Sequence, residues 1–206
     1  MSDEERLIPK EPSVKDPNVN LYEVNAGCPA FIKIVQTEVN KLNDNLVKTV
    51  KDNVGVNDYK SNVKALMTDW NLSDRYIDRL HQIIEEHLPP TEHKLFEREF
   101  NFIETWGAIY KHQDFCKVHH HWPNTYSWVY FAQVDDDSAP LDFYNIMRPD
   151  EKELANIRLK PKIGQLIIFP SFVMHGSDKT SGIGEDKWRI VLAGNIVAQY
   201  DTDRSR

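Results

Sequence analysis

The run Lys117-Val118-His119-His120-His121-Trp122-Pro123 gathers three imidazoles in one place. If it is extended, alternate side chains share a face, so His119 and His121 point one way and His120 the other. Two imidazoles spaced in this way are a natural pair of adjacent ligands for a transition metal. A third ligand has to come from a distant strand end. His175 is placed for that, after Leu166-Ile167-Ile168-Phe169-Pro170 and the short Phe172-Val173-Met174. Taken singly, each of these histidines reads equally well as a solvated or hydrogen-bonded side chain. His81, His87, His93 and His112 have no such company and read as structural. Three neutral imidazoles lose a metal when they protonate, so affinity is expected to fall below about pH 6.5.

Arg189 is the second residue with chemical content. It lies in the apolar strand Trp188–Val197, and a guanidinium buried there needs an anionic partner. A dicarboxylate offers a bidentate one. Otherwise Arg189 is a surface residue of an edge strand. Asn195 is an even step further on and shares the inward face of Arg189, and a buried Asn demands hydrogen-bond partners. Ser127 faces inward with Val129 and Phe131 by the same alternation.

The elements that carry these residues are of two kinds. In residues 1–20, Pro9, Pro12 and Pro17 among charges suggest an extended arm. From Pro29 to Lys51 the residues Phe31, Ile34, Val35, Val39, Leu42, Leu46 and Val50 recur at i, i+3, i+4, which predicts one amphipathic helix. Ser73-Asp74 opens a second helix with Tyr76, Ile77, Leu80, Ile83 and Ile84 inward, ending before Pro89-Pro90. Beyond Pro90 the texture becomes β-branched and aromatic, broken by Gly, Pro, Asn and Asp. Strands are expected at 99–110, 115–121, 127–134, 140–145, 157–159, 165–169, 172–175 and 187–199, as in a sandwich or barrel. The expectation is a single domain over 1–206, with an arm and buttressing helices in 1–95 and a β core in 96–200.

Composition narrows the class. The chain has 206 residues, 40% of them hydrophobic, and a net charge of −7, which fits a globular protein with a real core. No basic cluster offers itself to nucleic acid, no apolar run reaches the length of a membrane span, and the acidic start is unlike a signal peptide. Cys28 and Cys116 have no metal or redox spacing and read as reduced thiols of a cytoplasmic protein. Nothing in the sequence speaks to oligomeric state.

The order His119-x-His121, Ser127-Trp128-Val129-Tyr130-Phe131, Phe169-Pro170-Ser171, His175, Arg189 and Asn195 resembles the 2-oxoglutarate and Fe(II)-dependent oxygenases. It is most similar to the prolyl-hydroxylase-like branch of marine bacteria and phages. The resemblance covers residues 100–196 and implies a mainly β fold with N-terminal helices around a double-stranded β-helix, the cupin-like jelly roll. It implies that His119, His121 and His175 hold iron, and that Arg189 binds the far carboxylate of 2-oxoglutarate. Tyr110 would hydrogen-bond the co-substrate, and Ser127 and Asn195 would line the same site. The implied partners are 2-oxoglutarate, O₂ and an unidentified substrate, in the cytoplasm (a host's, if phage-encoded). The default outcome is C–H hydroxylation of a peptide or small molecule. Departures are His121 where most of the superfamily has a carboxylate, Phe131 in place of Tyr, and Ile190-Val191 after the Arg. They leave open a three-His dioxygenase without co-substrate and a non-catalytic jelly-roll module binding a metal such as zinc.

Overall fold

Apolar runs such as Leu166-Ile167-Ile168-Phe169 and Ile190-Val191-Leu192 are too unbroken for a sheet with one wet face. They suit a sheet buried on both sides. The computed structural model, which describes residues 18–25, 29–55, 62–88, 98–144, 155–179 and 188–200, realises that arrangement. Its strands are β1 (Val19–Asn25), β2 (Pro29–Gln36), β3 (Val63–Lys64), β4 (Leu66–Met67), β5 (Arg98–Tyr110), β6 (Phe115–His119) and β7 (Tyr126–Gln133). They continue with β8 (Leu141–Tyr144), β9 (Ala155–Leu159), β10 (Gln165–Pro170), β11 (Met174–Ser177) and β12 (Arg189–Tyr200). The helices are α1 (Lys41–Asn53) and α2 (Arg75–His87).

The strands form two antiparallel sheets. The larger runs β1-β2-β10-β7-β12-β5-β4 and the smaller β3-β6-β11-β8-β9. The chain is thus mostly β with two helices, an architecture consistent with a jelly roll. Alternation sorts the apolar runs between two cores. Ile167, Phe169 and Val191 join Trp106, Phe131 and Phe143 between the sheets. Leu166, Ile168, Ile190 and Leu192 pack with Leu46, Val50, Ile77, Leu80 and Ile84 beneath the helices. A Cβ on Gly107 would lie 2.5 Å from a Val50 methyl, so only glycine lets α1 sit this close to β5.

The single helix expected over Pro29–Lys51 is a strand followed by a helix. Ile32 and Ile34 enter the inter-sheet core while Val35 joins the core under the helices, a period of two. β2 bonds to β1 and β10 along that register. The β-branched residues pack there as a strand. The helix begins only where Asn40 caps it, its side chain accepting from Leu42 N at 2.9 Å. Val39, expected inside, is 56% exposed. The second helix is as expected. Asp74 caps it with bonds from Tyr76 N and Ile77 N, and accepts the Thr49 hydroxyl at 2.6 Å, which ties it to α1. The eight strands expected after Pro90 are all present, whereas β1 to β4 lie in the half read as arm and helices. Most of that arm, residues 1–17, lies outside the described residues, as does Cys28. No helix among the described residues is long and apolar enough to cross a membrane.

Candidate metal centre

His119 is the last residue of β6 and faces His175 on β11 as its antiparallel partner. His121 lies just past the strand end, its backbone N–H donating to Ser171 O at 2.7 Å, which fixes the turn that brings it back. The three rings converge, each offering a nitrogen within 4.8 Å of the others. His120 turns away, and its Nδ1 accepts from Trp122 N at 3.1 Å.

Orientation of the rings is set by their second nitrogens. His119 Nδ1 lies 2.7 Å from Lys117 O, and His175 Nδ1 lies 3.0 Å from Val173 O. Each therefore donates from Nδ1 and keeps a lone pair on Nε2, the arrangement that backs metal ligands. The Nε2 atoms of His119 and His121 are 3.2 Å apart. Two nitrogens bound at about 2.1 Å and roughly at right angles would be about 3 Å apart. The donor set thus fits a divalent transition metal, and a shared cation removes the repulsion of facing lone pairs.

Burial holds off protonation. Burial, then the neighbouring rings, push His121 down to about 3 and His175 well below its ordinary value. Burial lowers His119 also. Unfolded histidines titrate near 6.5, so below that pH the unfolded chain binds protons that the native chain refuses. Native stability is therefore fully present above about pH 6.5 and is lost progressively toward about pH 3. His81, stacked on Phe102 under α2 and lowered by burial to about 4, adds to the loss. His121 and His175 stay deprotonated through most of that window, and burial delays protonation of His119. Zinc affinity of the folded protein should therefore begin to fall at a lower pH than the value of about 6.5 expected from free histidine. Competition titrations at pH 7, 6 and 5 test this. A loss of roughly tenfold per pH unit, beginning at about 6.5, would mean that the rings are solvated.

The histidines open on a chamber between the sheets that is also lined by Tyr110, Cys116, Ser127, Phe131 and Arg189. Arg189 is 3% exposed. Its Nη1 donates to Ala139 O at 2.8 Å and Ser177 Oγ at 3.0 Å, and its guanidinium carbon lies 4.1 Å from the Tyr110 ring centre. Its Nε has no partner among the described residues, and no carboxylate pairs with it there. A buried cation left this way has room for an anion. Burial raises Tyr110, so its phenol keeps the proton and remains a donor. Cys116 is pushed up to about 12, again by burial, and stays a thiol.

Ser127 and Asn195 are buried, but they bond to each other. Ser127 Oγ donates to Asn195 Oδ1 at 2.8 Å and lies 2.8 Å from Ser171 Oγ. Asn195 is six residues beyond Arg189 on β12, about 20 Å along an extended strand. That spacing favours Arg189 and Tyr110 as the anion end and sets Asn195 apart from it. Glu104, which accepts from Asn195 Nδ2 at 2.6 Å, was not legible as a site residue.

No protein-family profile matches the chain, and no curated protein does. Solved structures do. The viral collagen prolyl hydroxylase of Paramecium bursaria Chlorella virus-1, solved with 2-oxoglutarate, is 15% identical with a TM-score of 0.55, over 85% of this chain and 94% of that one. A Pseudomonas putida prolyl-4-hydroxylase is 13% identical with a TM-score of 0.57, over 88% and 94%. HygX of Streptomyces hygroscopicus, solved with nickel, 2-oxoglutarate and hygromycin B, is 8% identical with a TM-score of 0.54, over 81% and 82%. At these identities the likeness is one of architecture, and this chain has the fold shared by these prolyl hydroxylases and 2-oxoglutarate-binding proteins.

Proposed function

We propose that this protein is a 2-oxoglutarate- and Fe(II)-dependent oxygenase with a double-stranded β-helix core, hydroxylating a C–H bond of a peptide or small molecule. One observation carries the reading: three deprotonated imidazoles share one chamber with Arg189, which is buried without a carboxylate partner among the described residues. His119, His121 and His175 would hold the iron. Arg189 would pair with the distal carboxylate of 2-oxoglutarate through a planar fork, and the Tyr110 hydroxyl would donate to the same group. Iron with 2-oxoglutarate and O₂ supplies the oxidising power, and the protein supplies placement and charge complementarity. Phe143 and Phe169 pack against His175 with ring centres at 6.1 and 4.7 Å, which keeps water from its far face. A prolyl or other peptidyl target rests on the likeness of fold to prolyl hydroxylases.

Anaerobic titration with Fe(II), with and without 2-oxoglutarate, tests the reading. A weak visible charge-transfer band that needs both, and succinate formed once air is admitted, are the expected results. O₂ consumption without 2-oxoglutarate would favour a three-His dioxygenase, for which Arg189 has no use. Metal binding with neither succinate nor O₂ uptake would leave a binding module.

A further inference from the structure

β5 and β12 pair residue for residue until Asn195, which faces Glu104, and Ile196, which faces Phe102. Ile103 is the extra residue of a β-bulge, a device that re-aims a side chain beside a site. Without it, Glu104 and Phe102 would share a face. With it, Phe102 packs under the helices, stacked on His81 at 3.9 Å, while Glu104 keeps the inward alternation of Trp106. Trp106 lines the chamber, with its ring centre 6.0 Å from that of His121. Glu104 is thus one pleat, about 7 Å, outward of Trp106 at the rim.

Glu104 is held there by a directed chain. Ser127 spends its proton on Asn195 Oδ1, so Ser171 must donate to Ser127, and Asn195 Nδ2 then donates to Glu104 Oε2. Ser171, Ser127 and Asn195 are all buried. Ser171 also accepts the His121 backbone N–H, so the chain is anchored to the turn that carries a metal ligand. Of the three buried side chains only Asn195 reaches the carboxylate, bonding one oxygen of Glu104 with the two serines behind it, and the other oxygen has no partner among the described residues. No cation pairs with it there either. Among the described residues, Arg189 in the chamber has no carboxylate partner, and Glu104, one pleat beyond the lining residue Trp106, has no cation partner.

We propose that Glu104 anchors the primary substrate, and that the substrate carries a protonated amine. The inference rests on the oxygenase reading and deepens it: the dianionic co-substrate sorts to Arg189 and the cationic substrate to Glu104. The net charge of −7 favours approach of such a molecule.

The test uses full-length, zinc-loaded protein with 2-oxoglutarate, titrated with benzylamine and, separately, benzoate, and followed by NMR. Benzylamine should bind at least about tenfold more tightly than benzoate, the scale of a charge-assisted hydrogen bond. Glu104→Gln keeps the acceptor for Asn195 and removes only the charge, and should bring the two within about threefold. Glu99→Gln, exposed on the same strand, should leave the preference intact. No benzylamine binding, no preference, or a preference that survives in Glu104→Gln overturns the proposal. Binding of 2-oxoglutarate to the same samples is read separately. Its absence beside a Glu104-dependent amine preference defeats the oxygenase reading and not the anchoring role.

Discussion

Replacing His175 by alanine is expected to abolish stable iron binding, and with it all 2-oxoglutarate turnover, in a protein that still folds. His175 is buried, is oriented by its bond to Val173 O, and contacts Phe169 with ring centres at 4.7 Å. Losing a group that merely orients a ligand costs about 10–100-fold in metal affinity. Losing the ligand itself should exceed about 100-fold, because His119 and His121 alone form a two-point site. The metal-free fold should tolerate the change, since the variant no longer buries an imidazole that must stay neutral. Metal content after gel filtration, together with circular dichroism, separates the two effects. His121→Asp is the contrasting variant. It keeps three ligands, lowers the charge of the site by one, and should retain iron. A His175→Ala protein that still carries one iron per chain would remove the three-His site. An unfolded His121→Asp would show that the His121 side chain has a structural role.

The β core and its three-histidine cluster were legible because they depend on periods of two and on residue chemistry. His119 and His121 keep one face even though the strand ends at His119, since the backbone bond to Ser171 continues the turn. His175 was legible by its place after an apolar strand, and Arg189 by the cost of burying a guanidinium. The N-terminal half was misread where two periods coincide. Ile34, Val35 and Val39 satisfy a helical recurrence, yet Ile32, Ile34 and the open edge of β10 favour a strand. Which period wins is decided by a partner more than a hundred residues away. Glu104 was hidden for a different reason. It follows the inward alternation of Trp106, but Phe100 and Phe102 lie on the opposite face across the extra residue Ile103, and a bulge leaves no mark in hydrophobic alternation. Asn195 shares the face of Arg189, but strand length sets it about 20 Å further along, where it bonds to Ser127 and Glu104.

Arg189→Lys is expected to weaken 2-oxoglutarate binding by about one to two decades while leaving iron binding alone almost unchanged. The estimate follows from a charge-assisted pair contributing on the order of 1.5–3 kcal/mol. Lysine preserves the point charge but not the fork, and the fork is already committed on one side. Nη1 is held by Ala139 O and Ser177 Oγ, and the plane lies against Tyr110. That leaves the rest of the guanidinium for the co-substrate in a fixed orientation. An ammonium has no such plane. It would divide its three donors among Ala139, Ser177 and the ligand without pre-setting any of them. The paired measurement is an iron titration without co-substrate and a 2-oxoglutarate titration of the iron-loaded variant. Arg189 is not a ligand, so the first should match wild type within about threefold, the range of an indirect effect. The second should shift by about 10–100-fold. Equal 2-oxoglutarate affinity in both proteins would mean that the buried cation serves the fold, with Ala139 and Ser177 as its whole purpose. The three-His dioxygenase and the binding module would then be the readings to pursue.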